Sequence, residues 1–192
     1  MNQSNRFGQL LVADTVTLSG ALLSRIVVFV DPAGTALVKK TDFVTKHTTM
    51  TLPGATIEIV SGDGLSGEVR VKTAPGPTWV GTLTPGARLG TGDVDTLCLI
   101  TEAVAPSVRH QVDSLRDFVA AQNRGPVAPD TSGTQWLVKT QWASGPCNQA
   151  TMEAALAIGA AVAACAEGGP YACIAGLEVA AYAYQRELDA CL

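Results

Sequence analysis

Hydrophobic and polar residues alternate in short runs along the first two-thirds of the chain. Such runs are typical of β-strands with one buried face, and turn sequences such as Asp31-Pro32-Ala33-Gly34 separate them. The predicted strands are residues 25–30, 35–40, 48–52, 56–60, 68–72, 79–83 and 96–102, after an alternating run at 12–18. Ser61-Gly62-Asp63-Gly64 predicts that the strands on either side of it form a hairpin.

Residues 106–123 change to helical spacing. Its apolar face consists of Val108, Val112, Leu115 and Val119, and Phe118 lies beside that face. We therefore expect a helix that packs on the sheet. The predicted fold class is α+β, with an antiparallel β-sandwich or barrel-like N-terminal region, this packed helix, and a helical C-terminal end.

The C-terminal end contains two Ala-rich stretches separated by a Glu-Gly-Gly-Pro break at 167–170. Alanine is the best helix former, and proline after a small residue starts each stretch, at Pro146 and Pro170. Apolar seams with spacings of three and four run along both: Thr151, Ala155, Ile158, Val162 and Cys165, then Ile174, Leu177, Ala181, Tyr184, Leu188 and Cys191. The pattern predicts an antiparallel helical hairpin.

A cysteine stands at each end of both predicted helices: Cys147, Cys165, Cys173 and Cys191. Helices of this length span roughly 27 Å, so four sulfur atoms so placed cannot bind one metal ion. An antiparallel hairpin instead brings Cys147 to Cys191 and Cys165 to Cys173, and we expect these two disulfides. The alternative is four reduced cysteines buried in an Ala-rich core.

Residues 124–133 are rich in Pro, Gly and Ser, which is typical of an exposed linker. The predicted organisation is a β-rich domain at 1–123, a linker and connecting strand at 124–146, and the hairpin at 147–192. In a strand at 135–142, Trp136 and Trp142 would share one face. Two such tryptophans are commonly core residues, but an exposed pair would form an interaction surface.

Charge restricts the possible partners. The whole net charge of −4 lies in residues 147–192, where five acidic residues accompany Arg186 alone. This balance predicts no nucleic-acid partner, and any membrane contact would not be driven by electrostatics. We expect a protein partner or self-association.

The sequence contains no strong motif for catalysis or metal binding. His47 and His110 lie outside any nucleophile motif, and Gly90 to Asp95 holds two carboxylates without the fuller ligand set of a calcium loop. Cys98 lies in an apolar run and is expected to be a buried thiol. We therefore predict no catalytic residue, no cofactor, no metal and no enzymatic activity; the alternative is an enzyme or small-ligand binder whose site the sequence does not reveal.

Residues 1–20 lack a basic segment followed by an apolar core, so we expect no signal peptide. The longest apolar run, residues 154–166, is too short to span a membrane. The predicted disulfides nevertheless favour an extracellular or cell-surface location. If the cysteines are reduced, the expected location is cytoplasmic.

A sizeable N-terminal domain followed by a compact, cysteine-crosslinked, Ala/Gly-rich helical segment resembles the precursors of cysteine-rich helical bacteriocins such as the halocin-like proteins. The resemblance covers residues 147–192, although halocin-like segments carry more cysteines and this segment is acidic. It implies a secreted interaction protein whose hairpin is released as the effector. The alternative function is a structural subunit of an extracellular or phage-like assembly, with the hairpin as its assembly element.

Overall fold

The computed structural model describes residues 2–61, 67–73, 76, 78–83, 96, 107–123 and 145–192. Its strands are β1 Asn2–Asn5, β2 Gly8–Val16, β3 Leu22–Val30, β4 Ala36–Asp42, β5 His47–Leu52, β6 Ala55–Ser61, β7 Gly67–Thr73 and β8 Thr78–Leu83. The described helices are α1 Ser107–Asn123, α2 Pro146–Glu167 and α3 Gly169–Cys191. Thr96, predicted to begin a strand, is helical instead. The rest of the strand predicted at 96–102 and the strand predicted at 135–142 lie outside the described residues.

All eight strands belong to one antiparallel sheet, in which each strand pairs with its neighbours in the sequence. The turn between β3 and β4 is closed by Asp31, whose Oδ1 accepts hydrogen bonds from the backbone N–H groups of Ala33 and Thr35 at 2.9 Å each. This is how aspartate stabilises a turn. The predicted pairing of β6 with β7 is confirmed, with Val60 opposite Glu68.

The predicted barrel-like closure is wrong, because β1 and β8 lie at opposite edges of the sheet. A meander that adds each new strand on the same side grows in one direction, and closure would require hydrogen bonds between its first and last strands. The second sheet that a sandwich requires is not among the described residues. The described chain is therefore an open sheet with a layer of helices on one side.

We call the helix-covered side of the sheet the inner face and the opposite side the outer face. Buried apolar side chains of the inner face alternate along the strands and include Leu10, Val27, Phe29, Leu37, Met50, Ile57, Ile59, Val69, Val71 and Trp79. From α1, Val112, Leu115 and Phe118 are buried, and the Phe118 ring meets Phe29 edge-on with 5.5 Å between centroids. The amphipathic helix predicted from the sequence thus packs on the sheet.

Helices α2 and α3, together called the crosslinked pair, approach each other closely because their contact residues are small. A Cβ atom on Gly176 would lie 2.9 Å from Cα of Ala161, so any side chain there would force the helices apart. Gly159 likewise lets α1 approach α2 closely, because a Cβ atom added there would lie 3.1 Å from Cγ2 of Val112. The buried residues of the two predicted seams are Thr151, Ala155, Ile158, Val162, Cys165, Leu177, Tyr184 and Leu188.

Candidate functional site

Two disulfides join the helices of the crosslinked pair. Cys147 is bonded to Cys191, which we call the end disulfide, and Cys165 is bonded to Cys173, the turn disulfide. This is the pairing that the spacing predicts. The turn disulfide is fully buried, whereas both cysteines of the end disulfide are partly exposed.

A buried ion pair connects the inner face of the sheet to α3. Nζ of Lys39 lies 2.6 and 2.8 Å from the two carboxylate oxygens of Glu187, and it donates to Oγ1 of Thr41 at 2.7 Å. The side chains of Lys39 and Glu187 are only 1% and 0% exposed. Burial lowers the pKa of Lys39, and the Glu187 carboxylate opposes that shift. Because no ligand can reach it, the pair serves to connect the sheet and the helix.

Among the buried polar groups without a hydrogen-bond partner in the described part of the chain, two lie on helices. They are the hydroxyl of Tyr184, on the same helix as Glu187, and the side-chain amide of Gln111 in α1. Burial and the nearby Glu187 carboxylate raise the pKa of Tyr184, so its phenol stays protonated at neutral pH. Unpaired polar groups of this kind reduce the stability of a core.

Arg25 of β3 connects the sheet to the end disulfide. Its Nε and Nη2 atoms bind the two carboxylate oxygens of Asp14 at 2.7 and 2.8 Å. Its Nη1 atom donates to Oγ1 of Thr151 at 3.0 Å and to Sγ of Cys147 at 3.3 Å. Since the Arg25 side chain is buried, these contacts hold its guanidinium against the first turns of α2.

A groove of about 370 Å³ lies beside the end disulfide, where α2 begins and α3 ends. Glu153 and Arg186 line it and form an ion pair with 3.2 Å between carboxylate and guanidinium. Gln149 donates to Glu153 at 3.0 Å. The groove gives solvent access to this end of the crosslinked pair.

The other residues that the sequence analysis considered for catalysis, metal binding or interaction do not form one site among the described residues. Trp136, Trp142, Cys98 and the Gly90 to Asp95 loop lie outside the described residues. His110 is exposed on α1, whereas His47 is half-buried on the outer face and its Nε2 atom has no partner in the described chain. Within the described ranges, no three His, Cys, Asp or Glu side chains come close enough together to bind a metal ion.

The outer face of the sheet carries aliphatic side chains at one end. Leu11 and Ile26 are 45% and 37% exposed. Leu11 lies opposite Val28, and Val28 lies opposite Val38 on the next strand. Charged side chains of both signs occupy much of the rest of the face: Lys40, Asp42, Glu58, Glu68, Arg70 and Lys72. Two isolated valines, Val60 and Val80, lie among them and are 39% and 47% exposed.

Acid is expected to weaken the protein partly through Glu58. Its carboxylate accepts a hydrogen bond from Nζ of Lys72 at 2.8 Å, and this bond holds the pKa of Glu58 below its usual 4.5. A depressed carboxyl pKa contributes stability above the unfolded-state pKa and loses that contribution as the pH falls through the folded-state pKa. In Glu58→Gln the free energy of unfolding should therefore fall less steeply than in wild type as the pH drops below about 4.5. The difference between the two proteins should be at most ~1 kcal/mol, because the pair is partly exposed.

Urea denaturation at a series of pH values measures this effect of Glu58→Gln. Glu68→Gln is the matched control, because Glu68 is more exposed and its nearest guanidinium nitrogen, on Arg70, is 3.6 Å away. Equal acid sensitivity in wild type and Glu58→Gln would contradict the prediction.

Sequence reasoning missed both buried charge contacts, although a signal for each exists. Arg25 and Lys39 occupy inward positions in alternating strands, next to the inward-facing Val27 and Leu37. Glu187 adjoins the seam residue Leu188. A charged residue at an inward position implies a buried partner, because an unpaired charge in a core is very costly.

Comparisons with known proteins gave no match: no family model, no curated protein and no solved structure resembles this chain closely enough to indicate its function. Among the described helices, none combines the length and apolar character that a membrane span requires.

Proposed function

We propose that this protein is a non-enzymatic secreted or surface interaction protein that associates with copies of itself through the outer face of its sheet. The observation that carries the proposal is the aliphatic end of that face, where Leu11 and Ile26 are exposed beside Val28 and Val38. The solvated side of an antiparallel sheet usually carries polar residues. An apolar patch there supports contact with another protein surface.

The charges of the outer face favour a second copy as the partner. Its three basic and three acidic residues balance, and Glu58 is already paired with Arg70 and Lys72. Two such faces can therefore meet without net electrostatic repulsion. A strongly charged partner would find little electrostatic attraction on a face whose charges balance. Sheets pack face to face about 10 Å apart, and a two-fold pairing would bury both aliphatic patches against each other.

In this proposal the crosslinked pair supports the sheet from behind. It is tied to the inner face by the Lys39–Glu187 pair and by the hydrogen bond from Arg25 to Thr151. The described helices therefore stiffen the sheet without occupying the outer face. Two disulfides that hold these helices together also suit the oxidising conditions outside a cell.

The double substitution Leu11→Lys with Ile26→Lys tests the proposal. We expect wild type to form dimers or larger species as its concentration rises in sedimentation velocity. The variant should stay monomeric at concentrations at least tenfold above the one at which wild type associates. Each lysine places a charge in the proposed contact, and burying a charge there is costly. Val44→Lys is the matched control, because Val44 is 70% exposed in the turn after β4 and should not affect association. A wild type that stays monomeric throughout would refute the proposal.

A second candidate is a halocin-like effector formed by the C-terminal hairpin. Both disulfides are contained within residues 147–191, so the crosslinks would survive cleavage in the 124–133 segment. Release would, however, break the Lys39–Glu187 pair and expose the inner face of the sheet. Cleavage of the oxidised protein in that segment, followed by gel filtration without denaturant, decides this point: fragments that stay together would count against an effector that is released.

A further inference from the structure

The two sulfur atoms of the end disulfide lie in opposite electrostatic surroundings. Cys147 is in the first turn of α2, directly after Pro146, and it receives a hydrogen bond from the guanidinium of Arg25 at 3.3 Å. Cys191 is the last residue of α3. A helix is positive at its N-terminus and negative at its C-terminus. A thiolate is therefore stabilised at Cys147 and disfavoured at Cys191.

Other charged groups near this bond keep that asymmetry. Asp14 offsets part of the Arg25 charge, but it binds Nε and Nη2 and leaves Nη1 directed at the Cys147 sulfur. Across the groove, Glu153 and Arg186 neutralise each other at 3.2 Å. Asp189 adds a negative charge on α3, the helix that carries Cys191.

Access also differs between the two disulfides. The groove beside the end disulfide is lined by Pro146 and Ala190, the residues that directly precede its two cysteines. Cys147 and Cys191 are both partly exposed. The turn disulfide is fully buried, so a dissolved thiol meets the end disulfide first.

We propose that the end disulfide is a thiol–disulfide exchange site for a low-molecular-weight thiol, which attacks Cys191 while Cys147 leaves as a thiolate held by Arg25. The incoming thiolate forms a bond to Sγ of Cys191 as the Cys147–Cys191 bond breaks. The electron pair of that bond passes to Sγ of Cys147. The product is a mixed disulfide on Cys191 and a thiolate on Cys147.

A second molecule of the thiol completes the reduction. It attacks the sulfur of the bound thiol, releases the oxidised small-molecule disulfide, and leaves Cys191 as a thiolate that takes a proton from water. In sum, two small thiols are oxidised and one protein disulfide is reduced. The direction of cleavage follows from the rule that the more stable thiolate is the better leaving group.

Oxidised full-length protein treated with reduced glutathione at neutral pH tests the proposal. Acid quenching, alkylation of free thiols and peptide mapping then locate the glutathione. We expect it on Cys191 at least tenfold more often than on Cys147, with alkylated Cys147 in the same molecules and an intact turn disulfide. Glutathione mainly on Cys147, equal opening of both disulfides, or no opening while a small model disulfide is reduced would each overturn the proposal.

The variant Arg25→Leu tests the role of the guanidinium. It should lower the preference for Cys191 severalfold, because the thiolate on Cys147 loses its cation. Arg116→Leu is the matched control, since Arg116 lies on α1 and pairs with Asp113 at 2.9 Å, and it should keep the wild-type preference.

A second measurement does not depend on the folding of the Arg25 variant. In Cys191→Ser, the pH profile of Cys147 alkylation should give a pKa below that of a free cysteine, about 8.5. A value at or above that level would overturn the proposal.

Discussion

Replacing Lys39 with methionine is expected to lower the free energy of unfolding by about 3–5 kcal/mol. The substitution leaves the fully buried Glu187 carboxylate without its cation and removes the hydrogen bond to Thr41. An unpaired charge in a core costs far more than the pair contributes, because both partners have already lost their hydration. Urea denaturation followed by circular dichroism measures the change.

The double substitution Lys39→Met with Glu187→Leu separates charge from packing. With both charges removed, stability should recover most of the loss, since apolar replacements of a buried pair are often neutral or stabilising. Lys72→Met is the matched control: it breaks the partly exposed pair with Glu58 and should cost at most about 1 kcal/mol. Equal losses for Lys39→Met and Lys72→Met would contradict the prediction.

Removing the end disulfide by Cys147→Ala with Cys191→Ala is expected to cost about 4 kcal/mol in the loop-entropy model. The crosslinked residues are 44 positions apart, so the unfolded chain regains much freedom when the bond is lost. Ala-rich helices bury little apolar area, which leaves them dependent on such a constraint. Urea denaturation of the oxidised proteins measures the difference.

A strong reductant provides the control for this loss. In wild type, the reductant should remove the contributions of both disulfides to the free energy of unfolding. In the Cys147→Ala, Cys191→Ala variant it should remove only the contribution of the turn disulfide. That contribution is smaller in the loop model, about 2.5 kcal/mol, because its cysteines are 8 positions apart. A loss below about 1 kcal/mol in the oxidised variant would contradict the account.

Most individual elements could be predicted because their signals are local. Alternation with strong turn residues located β3 to β8 to within a few residues, and proline starts with glycine breaks located both helices of the crosslinked pair. The short strand β1 has no apolar alternation, and pairing with β2 stabilises it. The disulfide pairing was predictable because helix length restricts which cysteines can meet.

The sequence by itself determined where strands and helices form, which side of each is apolar, and which cysteines pair. Tertiary structure decided that the described sheet stays open, that the described helices pack on its inner face, and that Leu11 and Ile26 remain exposed on the outer face. It also decided that Lys39 meets Glu187, a residue 148 positions away. The physical reason is that periodicity assigns a face to each element from near neighbours, whereas the choice of which faces meet depends on contacts between distant parts of the chain.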